Sequence, residues 1–185
     1  MPESPVRNRK GCGTAGRSVR LVYIGNMSLS YDLATVVDAV MADEGLVLDL
    51  AGSGPDEPSL RQRAKGCPRI RFHGYLGDAA MRELLAEADV GVVPMFDESC
   101  VGVPYKLADY AAAGLPVASS LHGETSELLA RCNAGVTYSA GNAAAFSDAV
   151  RKASRLDCSS MSLARLFDSA ALYREYVRFA VSAIR

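Results

Sequence analysis

Two stretches of this chain carry residue types at spacings that do chemistry. Residues 11–16, GCGTAG, spell G-x-G-x-x-G. In a dinucleotide-binding loop a strand delivers such glycines and a helix leaves them. The turn then lets backbone approach a pyrophosphate at the helix N-terminus. Here the preceding residues, MPESPVRNRK, hold two prolines, four charges and the aliphatic Val6. The following residues, SVRLVYIG, read as a strand. That order is reversed, so an NAD-type site is set aside and residues 1–18 are expected to form a flexible basic tail. The second stretch is VPYKLADYAAAGLPVASS, residues 103–120. Pro104 suits the first position of a helix. Lys106 then falls in the first turn, where a cation is disfavoured by roughly 0.3–1 kcal/mol. A bound phosphate at that terminus reverses the sign. Asp109 lies three residues on and shares a face with Lys106. The spacing leaves two readings, a Lys106–Asp109 surface pair and an anion site.

Glycine turns follow the predicted strands. The first strand ends in GNMS, with Gly25 and Asn26, and the second in AGSGP, with Gly52 and Gly54. The third ends in HGYLG, with Tyr75, Leu76 and Gly77, and the fourth runs into PMFDESCVGVPYKLADY. Ligands of open α/β sheets bind beyond the carboxyl ends of the strands. These turns therefore gather at one edge, where glycine permits close backbone approach.

The elements that position them alternate. Strands are expected at VRLVYIG (19–25), LVLDLAG (46–52), RIRFHG (69–74), DVGVVPM (89–95), LPVASS (115–120) and AGVTYS (134–139). Between the first two, Leu33, Val36, Val37, Val40 and Met41 fall at helical spacing, with Ser30 as N-cap and Gly45 past the end. PSLRQRAKG, DAAMRELLAEA with Asp78 as cap, residues 104–113, GETSELLARCN and NAAAFSDAVRKAS with Asn142 as cap supply further helices. Strands alternating with helices predict βαβ units and right-handed crossovers. The expected fold class is α/β, a doubly wound Rossmann-like parallel sheet of about six strands with helices on both faces. That domain is expected over residues 19–155. A C-terminal helix within residues 156–185 shows an apolar stripe through Leu163, Leu166, Phe167, Ala170, Tyr173, Val177 and Val181. It is expected to pack on this domain or on an N-terminal one.

Composition narrows the function classes. The chain has 185 residues, 49% hydrophobic and 22% charged, as one globular domain requires. It has no apolar run of about 18 residues and no signal-peptide pattern. Its five cysteines, Cys12, Cys67, Cys100, Cys132 and Cys158, form no C-x-x-C pair. That argues against a disulfide framework or zinc site and suits the cytoplasm. The net charge of −1 divides unevenly, with residues 21–150 holding eight basic and seventeen acidic side chains. An acidic body is a poor nucleic-acid platform. The basic ends read as solvated charge and offer a peripheral contact with an anionic membrane face or a partner.

GNMSLSYDL, LDLAGSGP, RIRFHGYLGDAAMRELLAEADVGVVP, PYKLADYAAAGLPVASS and GETSELL, in that order, resemble the C-terminal donor-binding domain of GT-B fold glycosyltransferases. The likeness is closest to the retaining group called glycosyltransferase family 4 and runs over residues 19–154. It implies a nucleotide-sugar site with no metal and no cofactor. Tyr75, Leu76 and Gly77 would hold the base through backbone contacts. Asp109, where Glu is usual, would bind ribose hydroxyls. Gly25 and Asn26 after the first strand, with Tyr105 and Lys106 at the helix start, would face the diphosphate, and Gly52, Gly54 and Pro104 would complete the donor-binding set. Lys106 and Asp109 are the candidates for a catalytic part.

The chain departs from the family in three ways. The first Glu of the E-x7-E motif falls on Val101, with Asp97 and Glu98 off register. The usual Arg/Lys pair after the first strand is missing, which leaves Lys106 as the side-chain cation for phosphate. His73 and His122 show no nucleophile or acid partner and read as structural. The resemblance therefore implies the donor-binding half of a retaining hexosyltransferase of polysaccharide-biosynthesis type, inactive without an acceptor-binding domain or chain. The other reading is a non-catalytic nucleotide-sugar-binding module that has kept the fold.

Overall fold

A computed structural model of the chain describes residues 17–96, 99, 101–157 and 162–167. The GCGTAG motif, Asp97, Glu98 and most of the expected terminal helix lie outside the described residues. Six strands form one parallel sheet: β1 (Val19–Ile24), β2 (Leu46–Ala51), β3 (Ile70–Gly74), β4 (Val90–Val93), β5 (Val117–Ser119) and β6 (Gly135–Thr137). Their order is β3-β2-β1-β4-β5-β6. The winding reverses between β1 and β4, where ligands of such sheets bind.

The helices are α1 (Leu33–Ala42), α2 (Glu57–Arg63), α3 (Asp78–Glu87), α4 (Lys106–Ala112), α5 (Glu124–Arg131), α6 (Ala143–Ala153) and α7 (Ser162–Phe167). Alternate residues of β1 enter different cores because successive side chains point to opposite faces. Leu21 and Tyr23 pack with Val36 and Val40 of α1, Leu60 of α2, and Phe146 and Val150 of α6. Val22 and Ile24 pack with Leu84 of α3, Leu107 and Tyr110 of α4, Leu129 of α5, and Leu163 of α7. Covered faces explain the nearly unbroken apolar strands, since each fully buried Leu, Val or Ile contributes roughly 1.5–3 kcal/mol.

Several helix starts differ from the sequence expectation. Ser30 does not cap α1; Asp32 does, accepting from Thr35 N at 3.4 Å. The chain is still extended at Tyr31, which forms an antiparallel bridge with Met95, so the helix cannot begin earlier. Asp32 is buried because it also accepts from Gly141 N at 2.6 Å. Asp78 is the first residue of α3, and the cap is the extended Gly77. Pro104 precedes α4 instead of opening it, its carbonyl accepting from Leu107 N at 3.0 Å in a tight entry turn. Met41 leaves the apolar stripe of α1 and is 42% exposed. Asn142 caps α6 as expected, accepting from Ala145 N at 2.9 Å. Among the described residues of the C-terminal segment, α7 packs against α4.

Candidate functional site

The sheet opens at its reversal point. β1 and β4 pair only through Leu21 with Val90 and Val22 with Gly91, then part. Tyr110 of α4 fills the gap. Its hydroxyl accepts from Ile24 N at 3.3 Å and presents its proton to Val22 O at 3.2 Å and Val92 O at 3.1 Å. Its ring lies flat on Gly91, where an added Cβ would sit 2.6 Å from ring carbons. A single side chain thus replaces ladder hydrogen bonds where the two strands part.

At the carboxyl end of β1 lies a pocket of about 490 Å³ lined by Ile24, Gly25, Tyr31, Met81, Met95, Val101, Val103, Pro104, Tyr105, Lys106 and Asp109. A second pocket of about 570 Å³ shares Tyr31, Met95 and Val101 with it and adds Asn26, Ser28 and Phe96. The loop after β4 that walls both is pinned from two sides. Ser120 Oγ donates to Met95 O at 2.6 Å and accepts from Met95 N at 2.7 Å. The buried Thr125 hydroxyl donates to Gly102 O.

Lys106 is 7% exposed, and its ammonium has no hydrogen-bond partner. Nζ sits 4.1 Å from the centroid of Tyr23 and 3.9 Å from that of Tyr31, two rings packed edge to face. Ring quadrupoles attract a cation, but they do not replace its hydration. Burial therefore lowers the Lys106 pKa to about 7. The same burial raises the Tyr23 phenol, which stays neutral and donates to Asn26 O. No ion pair joins Lys106 to Asp109 among the described residues, so the surface-pair reading fails. Asp109 is exposed on the pocket wall, and desolvation by that wall raises its carboxyl above its usual value.

The sequence-predicted residues divide into three groups. Gly25, Pro104, Tyr105, Lys106 and Asp109 line the first pocket, and Asn26 the second. Gly52 and Gly54 lie behind them. A Cβ on Gly52, which has φ +123°, would overlap the Gly25 carbonyl, so the two turns meet backbone to backbone. Tyr75, Leu76 and Gly77 line neither pocket; Tyr75 is 90% exposed, and Leu76 packs beside the α3 core. Met81, one turn into α3, reaches the first pocket from that side.

Sequence reasoning missed Tyr31, Met81 and Met95, which sit in loops or on helix flanks whose aim only the fold decides. It also missed Asp49, 1% exposed in mid-strand. Asp49 accepts from Arg20, Arg71 and His73, which gives His73 an acidic partner at 2.7 Å where none was expected. Among the described residues no cluster of His, Cys, Asp and Glu could hold a metal ion, and no helix is long and apolar enough to cross a membrane.

The profile of the family described as "Glycosyl transferases group 1" matches residues 18–155. No curated protein sequence matches the chain. Among solved structures, HepE of Anabaena in complex with UDP is similar, with a TM-score of 0.70 and 13% identity over 90% of this chain and 49% of that one. Sucrose-phosphate synthase of Thermosynechococcus elongatus gives a TM-score of 0.69 at 19% identity, over 91% of this chain and 46% of that one. The lipopolysaccharide outer core galactosyltransferase WaaB gives a TM-score of 0.69 at 14% identity, over 92% and 51%. At such identities the likeness is one of fold. The chain spans about half the length of the solved structures it matches.

Proposed function

Because the chain belongs to the group 1 glycosyl transferases, we propose that its cleft between β1 and β4 holds a nucleotide-sugar donor. The observation that carries the reading is the pocket at the sheet reversal, with Gly25, Lys106 and Asp109 on its wall. The diphosphate lies against the Gly25–Asn26 turn and the start of α4, where a protonated Lys106 meets its charge. Asp109 accepts hydrogen bonds from ribose hydroxyls. Residues 75–77 hold the base. The reading invokes no metal: the charge that stabilises the departing diphosphate is assigned to Lys106. HepE, solved with UDP and with UDP-glucose, supports a nucleoside diphosphate sugar as the ligand class.

Transfer then needs an acceptor-binding domain or chain, consistent with a span of about half of HepE. The resemblance to glycosyltransferase family 4 supports retention of anomeric configuration. The chain's cysteine usage supports a cytoplasmic setting, and the basic residues of its sequence ends support a contact with an anionic membrane face. A second reading, donor binding without transfer, draws on Val101. This residue is 40% exposed on both pocket walls, and its side chain cannot hydrogen-bond a sugar.

A thermal-shift panel with UDP, GDP, ADP, their sugar conjugates and NAD tests the assignment. A ligand at 100 times its Kd adds about 2.7 kcal/mol of stability. One nucleoside diphosphate is expected to stabilise the wild type, and Asp109→Ala to lose about 1–3 kcal/mol of that binding. Stabilisation by none of them, or equal stabilisation of the variant, overturns the site. Release of UDP from UDP-glucose once an acceptor-binding partner is supplied separates transferase from binding module.

A further inference from the structure

The cluster around Asp49 lies outside the cleft and takes no part in the chemistry above. Asp49 sits in mid-strand on β2, on the sheet face that packs against α3, and is 1% exposed. A carboxylate buried there is costly unless every lone pair finds a donor. Oδ2 accepts from Arg20 Nε at 3.2 Å and Arg71 Nη2 at 2.8 Å. Oδ1 accepts from His73 Nε2 at 2.7 Å. Arg71 matches the Asp49 charge and Arg20 is shared with Glu87 at 2.6 Å, so the imidazole is not needed for neutrality.

What distinguishes His73 is its place in the ladder. Phe72 pairs with Leu50 and Gly74 pairs with Ala51, so the register slips and His73 is the unpaired residue of a bulge. A bulge bends its strand and re-aims the residues beyond it. Gly74 turns next at φ +64°, while its carbonyl still accepts from Gly52 N at 2.7 Å. Gly52 in turn rests on Gly25 at the edge of the cleft. Residues 75–77 leave from this point, Gly77 caps α3, and Met81 of α3 reaches the pocket. The His73 side chain is tied to the buried Asp49 carboxylate immediately before that departure.

We propose that the Asp49–His73 pair positions the loop of residues 75–77 and through it sets how tightly the protein grips a nucleobase. The proposal rests on the donor-binding reading, in which this loop takes the base. His73 is a positioning residue and touches no substrate. Its loss weakens the base half of a nucleotide and spares the phosphate half.

The test is calorimetric titration of the full chain with UDP and, separately, with inorganic pyrophosphate, which has the phosphates and no base. Amide hydrogen exchange of residues 75–77 is measured alongside in the free protein. His73→Leu is expected to weaken UDP binding by about tenfold, to leave pyrophosphate binding within about twofold, and to speed exchange at residues 75–77. His73→Gln, whose amide can still donate to Oδ1, is expected to restore both readouts. Unchanged UDP affinity and unchanged exchange in His73→Leu overturn the proposal, as does an equal loss of UDP and pyrophosphate binding. Wild-type protein that binds neither probe overturns the donor-binding reading instead. Exchange at residues 75–77 still decides whether the pair positions the loop.

Discussion

Lys106 is the only buried cation among the described residues, and its surroundings make it a pH-dependent one. The groups facing it are the phenols of Tyr23 and Tyr31, with Asp109 on its own helix and exposed. Its pKa falls to about 7 in the folded chain, against 10.5 unfolded. Between those values the unfolded chain binds more protons, so this group makes stability rise with pH from about 7 to 10.5. Lys106→Met is expected to raise stability at pH 6 by about 1–4 kcal/mol, the range seen when buried charges give way to apolar side chains. Thermal melts across pH should show that gain shrinking above pH 7. Donor binding obeys the opposite rule. A bound diphosphate favours the charged amine, so UDP-glucose affinity should fall as pH rises through 7, with proton uptake on binding visible in buffers of different ionisation enthalpy. An affinity that is flat from pH 6 to 9 counts against phosphate contact by Lys106. The helical position of Lys106 was legible from Pro104 and the spacing to Asp109. Its burial was not, because the covering rings come from β1 and the loop before α1. Asp49 was illegible for a related reason. A lone Asp in LVLDLA gives no hint that parallel register sets Arg20, Arg71 and His73 around it.

Element by element, apolar periodicity located every strand and helix of the sheet, and the errors cluster at helix starts. Caps depend on contacts that periodicity does not encode. The Tyr31–Met95 bridge keeps the chain extended past Ser30, and the Gly141 amide claims the Asp32 carboxylate. The β1–β4 gap is the element-scale feature on which the cleft depends. Tyr110→Phe removes the hydroxyl that serves Val22 O, Val92 O and Ile24 N, leaving buried backbone groups unpaired. Urea unfolding should show a loss of about 1–3 kcal/mol. Gly91→Ala drives a methyl group into the Tyr110 ring and should cost about 1–3 kcal/mol by overpacking. The two substitutions share one contact, so their effects should not add. Additive losses in the double variant would show that ring and hydroxyl act separately.

For the whole molecule, the doubly wound class came from alternating elements, while the strand order appeared only in the structure. That order divides the core unequally in chain position. α1 and α2 share their core with α6, through Phe146, Ala149, Val150 and Ala153. Phe146 is fully buried, and Phe146→Ala should cost about 3–5 kcal/mol in equilibrium unfolding. The same arrangement has a consequence in time. During synthesis the strands β1, β2 and β3 emerge before α6, with α1 and α2, yet the apolar face of α1 that packs on α6 stays open until α6 arrives. At roughly 5–20 residues per second, the stretch between α1 and α6 keeps that face bare for on the order of 5–20 s. The α1 side of the sheet therefore waits on the ribosome for its cover, and a stall before α6 leaves apolar surface of the kind that promotes aggregation exposed on the nascent chain.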